Sequence, residues 1–172
     1  GINIAHLKMK GLSPKIDKNV TIAPPGVAAT PGSYPVDHGT MCAFDALIAA
    51  PKATLIDIPT LLSTTPGGSA MSGFLSDALR AFSFLLTRFT SPAWKYRALV
   101  VNNSWGMFHP SWDFPAGHPG RYGDNPNHPF NIITGTLAAA GADILFAAGN
   151  CGGQCPDGRC QNVVTRTITG AN

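Results

Sequence analysis

The chain has 172 residues, of which 44% are apolar and only 12% are charged, and its formal net charge is +3. This length suits one domain with a real core, but the charged fraction is about half of the roughly 25% that is typical. The protein is therefore either a tightly packed extracellular protein or a piece of something larger. No Lys/Arg run is present, which argues against nucleic acid or a membrane surface as a partner. Residues 78–89, the longest apolar stretch, are interrupted by Arg80 and Arg88 and too short to span a bilayer, and no signal peptide opens the chain.

Helices and buried strands alternate along the chain. The predicted elements are an edge strand at 20–23, a helix at 40–50, a strand at 53–58, a helix at 71–88, a strand at 98–102, a helix at 129–140 and a strand at 143–148. Ser69 or Ser72 caps the second helix, Pro129 opens the third, and Gly141 follows it. This order predicts a three-layer α/β domain, in which a Rossmann-like parallel sheet carries helices on both faces.

The carboxyl ends of the predicted strands are where a ligand is expected, because parallel sheets bind ligands at that edge. The strand at 98–102 runs into Asn103-Ser104-Trp105-Gly106, and the last strand runs into Ala147-Ala148-Gly149-Asn150. Both ends place polar groups beside small residues, where a substrate backbone could approach. A proline-rich loop over residues 106–128 follows the first of these ends, and long loops in compact domains are often functional.

Four short motifs resemble those of the subtilisin-like serine proteases. His-Gly-Thr at 38–40 is similar to that family's catalytic histidine motif, and Ala-Ala-Pro at 49–51 to its next segment. Asn-Ser-Trp-Gly at 103–106 resembles its substrate-binding segment, and Ala-Ala-Gly-Asn at 147–150 its oxyanion asparagine motif. Each motif alone is weakly specific, but all four occur in family order over nearly the whole chain.

The resemblance implies a serine endopeptidase that hydrolyses peptide bonds through an acyl-enzyme. His38 would be the general base, and Asn150 would donate its side-chain N–H to the oxyanion. Ser104 and Gly106 would offer backbone groups to an extended polypeptide substrate, and Trp105 would line a side-chain pocket. The alternatives are a capping or surface histidine at 38, a turn residue at 150 and a core tryptophan at 105.

The family's triad also needs an aspartate and a serine. The aspartate lies in an Asp-Ser/Thr-Gly motif that often continues with Ile and Asn, and the chain begins Gly1-Ile2-Asn3. The serine lies in a Gly-Thr-Ser motif several dozen residues after the asparagine motif. Residues 1–172 are therefore interpreted as the central, incomplete part of one subtilisin-like catalytic domain, whose partners include its missing flanking segments. Such a fragment is expected to be inactive alone.

Several residues imitate the missing triad members. Gly-Gly-Ser-Ala-Met at 67–71 loosely matches the serine motif, but it precedes the asparagine motif, so a helix cap is the preferred role of Ser69. Asp37 adjoins His38 in sequence, which is poor geometry for orienting the imidazole. Asp45 falls on the following helix and Asp57 inside a strand, and neither matches the family position.

No metal site is predicted in this segment. The spacing of Cys151, Cys155 and Cys160 matches no common zinc signature, and a loop disulfide of undecided pairing is preferred since the family is usually exported. Cys42 is expected to be a small buried residue. For the loop histidines we prefer turns and surface to metal binding; they are His109, His118 and His128.

The family resemblance also implies a secreted or cell-envelope location and no cofactor, and it would allow structural calcium in the full domain. Two other hypotheses remain: a degenerate family member that binds peptide without cutting it, and an unrelated doubly wound domain that binds a small ligand. An upstream Asp-Ser/Thr-Gly and a downstream Gly-Thr-Ser would favour the active enzyme. In the unrelated domain, His38 and Asn150 would lie far apart.

Overall fold

The computed structural model describes residues 1–105 and 112–147 of the chain. The chain divides into two compact units, Gly1–Thr65 and Pro66–Asn172. In the described residues, each unit combines helices with a pair of short parallel strands. The chain therefore combines helices and parallel strands, and the predicted α/β class is confirmed.

The first unit is built around two helices. In chain order it contains α1 (Ile4–Met9), β1 (Lys15–Ile16), α2 (His38–Ala49), β2 (Thr54–Leu55) and a 3₁₀ turn (Thr60–Leu62). The strands β1 and β2 are parallel, with Lys15 opposite Thr54 and Ile16 opposite Leu55. A small apolar core joins α1 to α2, and its buried members are Leu7, Ala43 and Leu47.

The second unit places two helices beside a parallel strand pair. It contains α3 (Ala70–Phe89), β3 (Val100–Asn103), α4 (Pro129–Ala139) and β4 (Asp143–Phe146). Strands β3 and β4 pair from Val100 opposite Asp143 to Asn103 opposite Phe146. Aromatic rings fill the space between the elements: Phe82, on α3, lies 5.5 Å from the ring of Phe130 on α4 and 6.5 Å from that of Phe146 on β4. Burial of such large rings is a main source of stability.

The helix ends follow the predicted signals. Ser69 and Ser72 form a capping box at the start of α3, so both candidate caps take part. Pro129 opens α4, where its missing N–H costs no helical hydrogen bond. Gly141 follows the end of α4 with φ of +101°, a conformation that favours glycine. The predicted helices at 40–50, 71–88 and 129–140 are thus confirmed to within two residues at each end.

The strand predictions were less accurate. The predicted edge strand at 20–23 was wrong: residues 20–23 form no strand, and the strand that pairs with β2 is Lys15–Ile16 instead. Thr21 is fixed by a hydrogen bond from its hydroxyl to the Asp57 carbonyl, 2.7 Å, and not by a strand ladder. The strand predicted at 53–58 is reduced to Thr54–Leu55, and helix α1 was not predicted.

Candidate active site

His38 is the first residue of α2, and its side chain is exposed. The preceding Asp37 has an extended backbone, and its carboxylate accepts a hydrogen bond from the His38 backbone N–H at 2.7 Å. A carboxylate at this position also interacts favourably with the helix dipole. Asp37 therefore fixes the backbone that carries the imidazole, and this bond engages the backbone N–H and not the ring.

Gly39 makes a close approach to Gly1 possible. A Cβ atom added at Gly39 would lie 2.5 Å from the Gly1 carbonyl oxygen and 3.1 Å from the Gly1 nitrogen. No side chain fits in that space, so glycine is required here by contact between two backbones. The amino-terminal segment consequently lies directly beside the start of α2.

Thr40 and Asn3 hold this contact together. The Asn3 backbone N–H donates to the hydroxyl of Thr40, 3.0 Å, and Thr40 is only 2% exposed. The Asn3 side chain donates to the Tyr34 carbonyl at 2.7 Å and accepts from the His6 N–H at 2.9 Å. In the His-Gly-Thr triplet, the first residue is therefore presented to solvent, the second admits Gly1, and the third binds Asn3.

Cys42 is a neighbour of His38 that the sequence analysis did not assign to the site. Its sulfur lies 3.7 Å from Nε2 and 3.9 Å from Nδ1 of the His38 ring, and the thiol is free. The signal was present in the sequence, since residues four apart on a helix are neighbours. Cys42 is half-buried, so the predicted buried position was only partly right.

The other aspartates of the first unit are placed differently. Asp45 is exposed on α2, whereas Asp57 is 2% exposed and accepts hydrogen bonds from the backbone N–H groups of Ile2 and Gly32, both at 3.0 Å. The Asp57 carboxylate thus stabilises the position of the amino-terminal segment. Ser69, in the segment that loosely matches the serine motif, is a helix cap as expected: its hydroxyl accepts from the Ser72 N–H at 3.0 Å.

Ser104 and Trp105 follow β3 at the carboxyl edge of the β3–β4 pair. The Ala147 N–H donates to the Asn103 carbonyl at 3.0 Å, so the chain leaving β4 stays beside the chain leaving β3. The Ser104 hydroxyl accepts from the Asn102 side chain at 2.8 Å, and the buried Asn103 side chain donates to the Leu145 carbonyl at 3.0 Å. Ala147, the first residue of the second motif, therefore lies beside Asn103, the first residue of the other motif.

The Trp105 ring packs against other aromatic rings. It is half-buried, with ring centroids 4.9 Å from Phe74, 5.6 Å from Phe146 and 6.1 Å from Phe130. The ring therefore has the core contacts that the alternative interpretation expected, while its backbone lies at the carboxyl edge. Gly106, Asn150, His109 and the three cysteines after residue 150 lie outside the described residues.

A polar cluster of one buried residue, Tyr122, and two half-buried residues, Asp113 and His128, lies near the start of α4. Burial raises the pKa of Tyr122 to about 12, and the nearby Asp113 carboxylate acts in the same direction. Burial lowers the pKa of His128 from its ordinary value, against the opposing effects of Asp113 and of a hydrogen bond to the Gly120 backbone. His128 Nδ1 accepts from the Phe130 N–H at 3.1 Å, so the neutral ring caps α4.

The histidines that the structure describes in this loop have turn and cap roles. His118 Nδ1 accepts from the Gly120 N–H at 3.0 Å, and its ring stacks on Phe114 with centroids 4.0 Å apart. Across residues 1–105 and 112–147, no three side chains of the His, Cys, Asp or Glu type are grouped so that they could hold a metal ion.

Within that same part of the chain, none of the helices combines the length and apolar character that crossing a bilayer requires. Comparisons of the whole chain with protein-family models, with curated proteins and with solved structures found no significant match.

Proposed function

We propose that the chain is the central part of the catalytic domain of a subtilisin-like serine endopeptidase acting on polypeptides. In this proposal His38 is the general base, Asn150 stabilises the oxyanion, and residues 104–106 pair with the substrate backbone. The triad aspartate and serine belong to flanking segments of the natural chain, so residues 1–172 alone do not cleave peptides. The proposal includes a secreted or cell-envelope location, as the family resemblance implies.

The contact between Gly1 and Gly39 is the observation that carries the proposal. The family motif would place its aspartate two residues before Gly1, and consecutive Cα atoms are about 3.8 Å apart. That aspartate would therefore lie within about 8 Å of Gly1, and Gly1 itself lies against Gly39, the residue after His38. A general base needs such a carboxylate close to its imidazole, which it orients and whose charged form it stabilises.

The environment of His38 also supports the role of a general base. The ring is exposed, so it can reach a substrate or a nucleophile, while its backbone is fixed by the Asp37 cap and by the helix. A general base must be presented at hydrogen-bond distance from the proton that it abstracts. Core histidines, in contrast, are normally buried with both ring nitrogens satisfied.

The β3–β4 edge supports the binding part of the proposal. Asn103 lies beside Phe146 in the ladder and accepts from Ala147, three positions before Asn150. Both motifs therefore begin at the same edge of the strand pair, where parallel sheets bind ligands, and this supports a binding site there. An extended peptide that lies along residues 104–106 would gain main-chain hydrogen bonds there.

A three-layer sheet is part of the same proposal. On one face of the β3–β4 pair, Val100 is 59% exposed and Leu145 is 52% exposed, while the other face carries the buried Asn103. Parallel sheets are normally covered on both faces. We infer that a further layer of helix covers Val100 and Leu145 in the complete domain.

The proposal is tested with the full-length gene product, expressed with its natural flanking segments. Hydrolysis of an unfolded polypeptide is measured for wild type, His38→Ala and the control His118→Ala. We expect wild type to cleave, His38→Ala to lose about 10²–10⁴-fold in kcat, and His118→Ala to retain wild-type activity.

Two outcomes would contradict the proposal. Equal activity of His38→Ala and wild type would exclude His38 as the base. A full-length protein that binds the unfolded polypeptide without cutting it would be a non-catalytic peptide-binding domain.

A further inference from the structure

Asp57 connects the amino-terminal segment to the body of the first unit. One carboxylate oxygen, Oδ2, accepts from the Ile2 N–H and from the Gly32 N–H, both at 3.0 Å. These partners are 55 and 25 positions away in sequence, and Asp57 is 2% exposed. This one carboxylate oxygen therefore joins three parts of the first unit that are distant in sequence: the amino-terminal segment, the turn at Gly32 and the chain after β2.

The same link extends to the start of α2. Gly32 also accepts from the Ile4 N–H at 2.9 Å, and Tyr34 donates its N–H to the Ile2 carbonyl at 3.2 Å. Ile2 is therefore held from both sides, and Gly1, bonded to it, lies against Gly39. Moving the Asp57 carboxylate would move the segment that leads into the position beside His38.

We propose that Asp57 is a positioning residue for catalysis: its carboxylate sets the place of the amino-terminal segment, and through it the place of the acidic group that orients His38. This inference rests on the proposed function, because it assumes an acidic residue shortly before Gly1. It differs from the hypothesis that Asp57 itself pairs with His38, since the carboxylate is engaged by two backbone N–H groups.

The inference is distinguished from a merely structural role by a matched pair of buried aspartates. Asp17 lies in the same unit, is 6% exposed and accepts a hydrogen bond from the Asn19 N–H at 2.9 Å. This bond stays within a local turn. Asp57→Asn and Asp17→Asn both neutralise a buried carboxylate, and Asp57→Asn removes the one that accepts from the Ile2 N–H, next to the contact between Gly1 and Gly39.

The experiment uses the full-length gene product and two readouts. The first is kcat and KM for hydrolysis of an unfolded polypeptide. The second is the far-downfield proton NMR signal of a ring N–H hydrogen-bonded to a carboxylate, assigned by its absence in His38→Ala. Asp37 and Cys42, the titratable groups next to His38 in the first unit, are unchanged in all variants.

We expect Asp57→Asn to lower kcat about tenfold and Asp57→Ala about 100-fold, the size expected when a catalytic group shifts by roughly 1 Å. KM should stay within about twofold, because ground-state binding is not altered. The downfield signal should weaken in the same order, because the ring N–H of His38 loses the carboxylate that accepts from it. Asp17→Asn should leave both readouts at their wild-type values.

The outcomes separate the inference from the proposed function. If Asp57 variants keep kcat and the NMR signal at the level of Asp17→Asn, the positioning role is wrong, although the protease proposal stands. If wild type cleaves nothing but its downfield signal is lost in Asp57→Asn, the positioning role stands and the protease proposal fails. If wild type shows no downfield signal, no carboxylate is held against His38 and the positioning role is overturned.

Discussion

The start of α2 in the first unit and the β3–β4 edge in the second are built by different interactions. Around His38, backbone groups that are distant in sequence meet through hydrogen bonds and through a glycine contact that has no spare volume. Around Trp105, packed aromatic rings and a four-residue ladder position the chain. The first region should therefore be sensitive to added atoms, and the second to removed ones.

The largest effect on stability is expected from removing a ring in the second unit. Phe130 is 1% exposed and contacts the rings of Phe82, Tyr122 and Phe146. Phe130→Ala should lower the free energy of unfolding by about 3–5 kcal/mol, because it leaves a cavity. Denaturant unfolding measures this loss.

Ile132→Ala, two positions further along α4, is the control for that prediction. Ile132 is 53% exposed, so its truncation should cost less than about 1 kcal/mol. Similar losses for the two variants would show that the aromatic cluster does not stabilise this unit.

An added methyl group should disrupt the first unit. Gly39→Ala would place a Cβ 2.5 Å from the Gly1 carbonyl oxygen, so the amino-terminal segment must shift. We expect a loss of about 1–3 kcal/mol, as for other overpacked sites, measured by thermal unfolding.

Gly135→Ala is the matched control in another helix. A Cβ at Gly135 would meet nothing within 4 Å, so alanine should stabilise α4 by about 0.5–1 kcal/mol through its higher helix propensity. If both glycine substitutions changed the melting temperature in the same direction, the difference in packing between Gly39 and Gly135 would not explain their effects.

The cap of α3 should have a smaller effect. Ser69→Ala removes the acceptor for the Ser72 N–H and should cost about 1 kcal/mol of unfolding free energy. Ser69→Asp keeps an acceptor and should remain near wild type. Neither change should alter peptide hydrolysis by the full-length protein, and a loss of hydrolysis in Ser69→Asp would reinstate Ser69 as a nucleophile.

The smallest expected effect is a pH dependence at His128. Because burial lowers its pKa in the folded protein, the unfolded chain binds the proton more readily. The stability contributed by the neutral cap is complete above about pH 6.5, the ordinary histidine value, and falls as the pH drops below it. Unfolding curves between pH 8 and pH 5 should show this fall in wild type and a weaker one in His128→Asn, which retains a capping side chain. Equal slopes would remove His128 as the cause.

Local signals predicted the elements that are long or capped. Helical spacing with Ser69, Pro129 and Gly141 at the ends located α3 and α4 because these signals act within a few residues. Helix α1, with six residues, and β1, with two, were missed. Such short elements depend on distant partners, as Leu7 does in the core and Ile16 does opposite Leu55.

The candidate site also combines features that local sequence signals predict with contacts between residues distant in sequence. The position of His38 at a helix start was predicted, because the residues around it carry that information. The contacts of Ile2 with Asp57 and of Asn3 with Thr40 join residues 55 and 37 positions apart, and no periodic pattern encodes them. The contact between Cys42 and His38 was not predicted, although their four-residue spacing on a helix was visible in the sequence.

The most direct test of the central claim is mass spectrometry of the full-length gene product after treatment with a serine-directed fluorophosphonate. The account predicts one stable adduct on a serine beyond residue 172, in a Gly-Thr-Ser motif. It should be lost in His38→Ala, because the general base is gone, and retained in His118→Ala. Absence of an adduct in wild type, or an adduct that forms equally well in His38→Ala, would contradict the account.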